Sequence, residues 1–321
     1  FVGRTYSFKE EKLCDGRKYS HDRIRIGYVS GDLCVHAVGL LLAELFEGHD
    51  RQKYEIYAYD FSIEDGTPHR QRLKQAFDHM RFVHALTDRQ IAEVVLQDEI
   101  DVLIDLHGLS AGAKPGVFAL HPAPLQGTYL GFIGTTGMPW FDFVITDEKA
   151  FPVALEPYFA EMPLRLQSSF IPLTPDAQTT VTISREQFGF NEKDFVMAAF
   201  GNSYKFKQRL KLADVFLDTF PYNCGSTTNN VVQAGLPMVS MYGKTMVSRM
   251  GLSILSSIGL DAYCVDNGQD YKKKVMDIAA MEVNERIALK QKIQLASSQH
   301  KNLSQGFEAL LSSLMKARGL L

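Results

Sequence analysis

Residues 212–240 read LADVFLDTFPYNCGSTTNNVVQAGLPMVS. The apolar run "ADVFLDT" has the length and content of a buried strand, "LPMVS" of a second one, and "TNNVVQAG" between them of a helix. Strand, helix and strand in that order make a parallel crossover unit, and a parallel sheet is covered on both faces by helices. The stretch between strand and helix is small and polar: Asn223, Cys224, Gly225, Ser226, Thr227 and Thr228. The first-turn N–H groups of a helix lack intrahelical partners and carry partial positive charge. Hydroxyls add donors, and Gly225 lets the backbone approach a ligand, which suits phosphate. An ordinary Ser/Thr helix cap reads the same way. The loop is not a Walker A loop, because no Gly-Lys-Ser/Thr follows.

The same alternation runs through the chain. "RIRIGYVS" (23–30) reads as a buried strand and "VGLLLAELFEGH" (38–49) as a helix. "YEIYAYDF" (54–61) is a strand, "PHRQRLKQAFDHM" (68–80) a helix and "DRQIAEVVLQDE" (88–99) another. "DVLIDLHG" (101–108), "LQGTYLGF" (125–132) and "FDFVITD" (141–147) are further strands. "SFIPLTPDAQTTVT" (169–182) is rich in Pro and Thr and aperiodic, which predicts a linker. The pattern then restarts with "FVMAAFGN" (195–202), followed by the opening stretch and "AYCV" (262–265). "VSRMGLSILSSIGL" (247–260) and "YKKKVMDIAAM" (271–281) read as helices, and the tail from Glu282 to Leu321 as helical throughout. No repeat of ~20–50 residues is visible.

At 321 residues, 45% of them hydrophobic, the chain has material for about two domains and a large core. A net charge of −3, with no long basic run, argues against a dedicated nucleic-acid binder. Cys14, Cys34, Cys224 and Cys264 have neither disulfide-framework nor zinc-ligand spacing, which predicts thiols in a reducing compartment. The N-terminus has no signal-peptide pattern, and nothing approaches the ~18 apolar residues of a membrane span. A cytoplasmic protein is expected, and a first residue of Phe reads as a fragment.

In open α/β sheets, ligands bind beyond the carboxyl ends of strands, and a cleft between two such halves is the natural place for a nucleotide-type ligand. Four further loops lie at such ends. "SGDLCVHAVG" puts His36 at a strand-to-helix mouth, where an imidazole suits general-base work near neutral pH or a backbone cap. "DLHGLSAGAK" offers His107, Gly108 and Ser110. "YLGFIGTTGMPW" has three glycines in seven positions, suited to turns or to close ligand approach. "GNSYKF" places Lys205 at a strand end, with Arg209 shortly after; each could neutralise phosphate or sit solvated. No Asp-x-Asp pair or His/Asp/Glu cluster has metal-ligand spacing. Neither a G-x-S-x-G elbow nor a G-x-G-x-x-G fingerprint is present.

Taken in order, "RIRIGYVSGDLCVHAVG", the block from Asp101 to Asp147, "LADVFLDTFPYNCGSTTNNVVQAGLPMVS" and "GKTMVSRMGLSILSSIGL" resemble the catalytic region of the O-linked N-acetylglucosamine transferase / SPINDLY family, bacterial members most. The similarity runs from Arg23 to about Ile278. It implies an α/β fold of GT-B type, with two Rossmann-like domains facing a cleft and a helical tail. The domains would be 1–172 on the acceptor side, 173–300 on the nucleotide-sugar side, and a helix at 301–321. It also implies inverting transfer from a nucleotide sugar, UDP-GlcNAc above all, to Ser/Thr of a protein acceptor, without metal or other cofactor. On the resemblance, His36 matches a base or acceptor-site histidine and Lys205 the lysine supporting the leaving diphosphate. Arg209, Ser226, Thr227, Thr228 and Asn230 match nucleotide- and phosphate-side positions; Ser110, Leu130 and Gly131 match the sugar pocket.

Three positions depart from the family pattern. Gly225 precedes the hydroxyls where many members have His. Asn230 stands for a ribose-binding carboxylate. Phe206 runs directly into Lys207 where a strand-helix segment is expected, as if several tens of residues were missing. These departures keep two other readings open: a domain of this type that binds nucleotide or protein without turnover, and a sugar-nucleotide epimerase.

Overall fold

The computed structural model describes residues 12–14, 17–174, 183–191, 193–199, 209–298 and 303–321. The join at Phe206 and Lys207 lies outside them. Two compact units are present: Phe1–Asp147 with Val153–Phe170 and Asn302–Leu321, and Glu148–Pro152 with Ile171–Lys301.

The first unit is a seven-stranded, wholly parallel sheet. Its strands are β1 (Ile24–Ser30), β2 (Tyr54–Asp60), β3 (His79–Phe82), β4 (Val102–Asp105), β5 (Leu125–Thr128), β6 (Phe143–Asp147) and β7 (Met162–Leu166). Their spatial order is β3-β2-β1-β4-β5-β6-β7. The connecting helices are α1 (Ala37–Glu47), α2 (Pro68–Gln75), α3 (Asp88–Gln97) and the short α4 (Pro115–Ala119). Central β4 is buried along its whole length, as a strand covered on both faces must be. One face packs Val29, Tyr57, Tyr59 and Leu103 against Ile91 and Val95 of α3 and Val117 and Phe118 of α4. Thr87 caps α3 in a reciprocal box with Gln90, which fixes where that helix starts.

Two strands differ from the sequence reading. The helix predicted over 68–80 ends at Gln75, and His79–Phe82 pairs with β2 as an edge strand. Its four residues are half-exposed or exposed, so they show no apolar alternation; pairing with β2 decides their state. Met162–Leu166 forms the opposite edge and contains Pro163, which only an edge strand tolerates well. The predicted linker also begins too early. Phe170, Ile171 and Leu173 are buried, and Phe170 N–H donates to Asp147 at 2.8 Å. Pro and Thr mark the loss of periodicity there, not exposure. Residues 175–182 of that stretch lie outside the described ones.

The second unit has β8 (Met197–Ala198), β9 (Val215–Leu217), β10 (Met238–Met241) and β11 (Cys264–Val265), parallel in the order β11-β10-β9-β8. Helices α5 (Ser226–Gln233), α6 (Met250–Ser257), α7 (Gly268–Ala279) and α8 (Val283–Ser298) accompany them. The strand-loop-helix-strand reading of 212–240 is thus realised as β9, α5 and β10. Val215, Val239 and Ile278 form its small core. Among the described residues, no helix is long and apolar enough to cross a membrane.

Among the described residues, the tail is helical in two stretches, of which α8 is the first. A second one, α9 (Leu303–Ala317), packs on the first unit. Phe307 is fully buried beside Tyr28 and Tyr129. The Glu308 carboxylate accepts from buried His49 Nδ1 at 2.9 Å and from Asp50 N–H at 2.8 Å. With its proton on Nδ1, His49 accepts at Nε2 from the Tyr28 hydroxyl, 2.8 Å away. Glu308→Ala leaves the His49 and Asp50 N–H groups without an acceptor. We expect a loss of about 3 kcal/mol in urea unfolding, from two buried donors at ~1–3 kcal/mol each. Glu308→Gln, which keeps an acceptor oxygen, should recover part of it.

Candidate functional site

The order of the first sheet reverses between β1 and β4: β2 and β3 lie to one side, β5 to β7 to the other. Loops leaving two such neighbouring strands diverge and open a crevice at their carboxyl ends. The loop after β1 carries Gly31 to His36, and the loop after β4 carries His107 to Lys114.

His36 is the N-cap of α1, with Nδ1 3.4 Å from the Val38 N–H. The same nitrogen lies 3.4 Å from Asp32 Oδ2, and 49% of the side chain is exposed. A backbone N–H only donates, so Nδ1 offers its lone pair to Val38, and the neutral ring carries its proton on Nε2. The loop is braced from β2. Arg70, fully buried, donates to the Leu33 carbonyl at 2.7 Å and to Asp60 at 2.5 Å. Leu33 N–H donates to Ser62 Oγ and Val35 N–H to Asp65, so the β2–α2 loop clamps the loop bearing His36.

The β4 loop is folded by Asp105. Its carboxylate accepts from His107 N–H at 3.0 Å and Gly108 N–H at 2.7 Å. Burial pushes the carboxyl up to about 7, and those two N–H groups pull the other way. His107 is 4% exposed. Its Nε2 is 2.8 Å from Gly31 N and its Nδ1 is 2.9 Å from Ser110 Oγ. Burial holds this imidazole below its usual range; the charge of Asp32 raises it and His36 lowers it. Leu130 and Gly131 follow β5 and press on the same loop. Leu130 takes φ +66°, and a Cβ on Gly131 would lie 1.8 Å from the Leu106 carbonyl oxygen and 2.9 Å from His107 Cα. The crevice thus gathers His36, Ser110, Leu130 and Gly131, with Asp32 and His107 between them.

The second unit has its own loop, after β9. The Asp218 carboxylate accepts from Thr219 N–H and Cys224 N–H, each at 2.8 Å, and from Ser240 Oγ at 2.5 Å. Burial pushes it up to about 6 against those bonds. Asn223, fully buried, donates to the carbonyls of Thr219 and Met241. Ser226 and Thr227 open α5 and are half-buried; Gly225, the N-cap, offers their turn no side-chain acceptor. Thr228 differs: it is buried and donates its hydroxyl to the Cys224 carbonyl. Asn230 sits half-buried one position beyond Asn229, which binds Thr174 through both ends of its amide. Arg209 is exposed ahead of β9, and Lys205 lies outside the described residues. No group of three or more His, Cys, Asp or Glu among the described residues is placed to hold a metal.

Sequence reasoning missed Asp32, Asp60, Arg70, Asp105 and Asp218. One signal was available for three of them: an apolar run ending on Asp, in "YAYD", "VLID" and "VFLD".

The model of glycosyl transferase family 41 matches residues 4–174 and 170–308. The chain belongs to that family. A protein of Arabidopsis thaliana named "Probable UDP-N-acetylglucosamine--peptide N-acetylglucosaminyltransferase SEC" is 27% identical over 332 residues, covering 82% of this chain and 34% of its own length. The Caenorhabditis elegans UDP-N-acetylglucosamine--peptide N-acetylglucosaminyltransferase is 36% identical over 140 residues, 43% of this chain and 12% of that protein. The chain spans about a third of the full-length plant relatives it matches. A point mutant of the Thermobaculum terrenum O-GlcNAc transferase superposes with a TM-score of 0.82 at 24% identity, over 92% of this chain and 68% of that one. The α/β fold of that structure, the GT-B type, is the fold of this chain.

Two predictions follow from this geometry. Gly131→Ala forces the Leu106 carbonyl or the β5 loop to move. Overpacking of this kind costs ~1–3 kcal/mol, which thermal melting would register. Asp105 is the pH-sensitive element. Its folded pKa of about 7 lies above the ~3.9 of an unfolded aspartate, so its contribution is full below pH ~4 and is lost as pH rises through about 7. Wild-type stability relative to Asp105→Asn should therefore fall steadily from pH 4 to 8. A flat difference in denaturant titrations would contradict the burial of that carboxyl.

Proposed function

We propose that this chain is the catalytic region of an inverting, metal-independent protein glycosyltransferase that moves GlcNAc from UDP-GlcNAc to Ser or Thr of a protein acceptor. The observation that carries the reading is the crevice between β1 and β4 in a member of family 41. There an imidazole with an adjacent carboxylate, His36 with Asp32, stands in the same loop cluster as Ser110 and Gly131. Donor, acceptor and lack of a metal requirement rest on the resemblance of the four sequence blocks and on what the relatives' names say of those proteins.

In this reading, the His36 imidazole takes the proton of the acceptor hydroxyl as its oxygen attacks the anomeric carbon. The bond from that carbon to the diphosphate oxygen breaks, and UDP leaves with the bonding pair. A positioned base of this kind contributes about 10²–10⁴ in rate. Charge builds on the departing diphosphate. The first turn of α5, the hydroxyls of Ser226 and Thr227, and Lys205 with Arg209 would answer it. Each preorganised donor to such charge is worth ~3–4 kcal/mol. Thr228 has given its proton to Cys224, so it can only accept. It stabilises the turn and leaves donation to its two neighbours. Asn230 would bond a ribose hydroxyl through its amide.

The test is calorimetric titration of UDP and GDP into the purified chain in EDTA, followed by sugar transfer from UDP-GlcNAc to a protein acceptor. We expect micromolar UDP binding that weakens in Lys205→Ala and in Ser226→Ala/Thr227→Ala. His36→Ala should keep UDP binding and lose about 10²–10⁴ in kcat. Preference for GDP would move the donor assignment to a different sugar nucleotide. UDP binding without transfer by any variant or the wild type would leave a binding domain in place of an enzyme.

A further inference from the structure

We propose that His107 is a positioning residue for sugar recognition: fixed as the Nδ1–H tautomer, it turns the Ser110 hydroxyl proton outward to donate to the sugar of the nucleotide donor. The inference rests on the glycosyltransferase reading of this crevice and adds a residue to it.

The tautomer follows from Gly31. A backbone N–H only donates, and this one reaches His107 Nε2 at 2.8 Å. Nε2 must therefore present a lone pair, and the single proton of the neutral ring sits on Nδ1. Nδ1 lies 2.9 Å from Ser110 Oγ, so the ring donates and Ser110 accepts. An imidazolium would put two N–H groups head to head at Gly31. Asp32 Oδ2 is 3.5 Å from Nε2, longer than an ordinary N–H···O bond, and does not replace that contact. With its lone pair engaged, Ser110 keeps its own proton for another partner, and its side of the loop is only half-buried.

The ring is held against a flip. It is 4% exposed and stacks on Phe61 at 5.3 Å with 26° between the planes. Its backbone N–H is bound by Asp105 Oδ1, and Ser110 N–H closes the turn onto the His107 carbonyl at 3.1 Å. Gly108 takes φ +58° within that turn, and a Cβ there would strike Phe132 at 2.4 Å. Gly31 also begins the loop that carries Asp32 and His36. His107 thus ties the loop of the base to the residue that faces the sugar, through one side chain and two directional bonds. The arrangement fixes which atom of Ser110 donates, a choice that a free hydroxyl rotor would leave open.

The experiment uses the full chain and two probes, UDP and UDP-GlcNAc, titrated calorimetrically. The measured quantity is the ratio of the two affinities, which isolates the sugar from the nucleotide. We expect Ser110→Ala to cut that ratio about tenfold, the worth of one hydrogen bond of ~1.4 kcal/mol. His107→Ala should cut it equally, and the double variant no further. His107→Asn, whose amide N–H₂ stands near the position of Nδ1, should restore most of it. Imidazole ¹⁵N shifts of the wild type report the tautomer independently and should place the proton on Nδ1. A proton on Nε2, additive losses in the double variant, or an unchanged ratio in His107→Asn and His107→Ala would overturn the proposal while UDP binding stands. A wild type that binds neither probe would bring down the glycosyltransferase reading itself, and with it the role assigned here.

Discussion

The site depends on carboxylates at the ends of buried strands. Asp60 ends β2, Asp105 ends β4, Asp147 ends β6 and Asp218 follows β9. Three accept backbone N–H groups from the loop that follows, Asp60 from Ser62, Asp105 from His107 and Gly108, and Asp218 from Thr219 and Cys224, while Asp147 accepts from Phe170, beyond β7. A parallel strand leaves its sheet with unpaired N–H groups in the turn, and burying them unpaired would cost ~1–3 kcal/mol apiece. Asp105 and Asp218 collect two at once and bend the chain back over the strand end. The functional loops are thereby held by the rigid part of the molecule, as precise chemistry demands.

The same choice has an electrostatic consequence. Asp60 meets buried Arg70 and is answered in full, while Asp105 and Asp218 have only N–H and hydroxyl partners and are pushed up to about 7 and about 6. A carboxyl that is partly protonated near neutrality adds less negative charge to the loop it holds. In the crevice, the Asp32 carboxylate is placed next to two imidazoles, 3.4 Å from His36 and 3.5 Å from His107.

Much of this was legible in the sequence. The opening stretch reads correctly as strand, loop, helix and strand, because Val215, Val231, Val232 and Val239 are buried and carry the pattern. His36, Ser110, Leu130 and Gly131 fall at strand ends, where α/β physics puts sites, and the fold brings them to one crevice. Edge strands were not legible, since His79–Phe82 and Met162–Leu166 take their form from a neighbour rather than from their own periodicity. Nor was the destination of the last helix. Glu308 looks like any surface acid in a helical tail, and only the fold shows it accepting from His49, 259 positions away. The orientation of hydroxyls was equally hidden. Ser226, Thr227 and Thr228 are interchangeable as letters, yet Thr228 spends its proton within its own turn.

The loop after β9, proposed here to hold phosphate, has no charged side chain between Asn223 and Asn230. Three hydroxyls in a row offer fewer donors than their number suggests, because one must hold the turn. Gly225 supplies no side-chain cap, so in the first turn of α5 the Thr228 N–H donates to the Gly225 carbonyl instead. Where a histidine precedes the hydroxyls, it can supply a donor that this chain lacks. In the proposed function that donor is replaced by Arg209 and Lys205 or by the peptide N–H groups themselves. A site built on backbone dipoles and neutral hydroxyls is less sensitive to pH than one built on histidine. It also depends more on the loop being held still, which is what Asp218, Asn223 and Ser240 do. In this unit the loop after β9 rests on a buried aspartate three residues before Pro221.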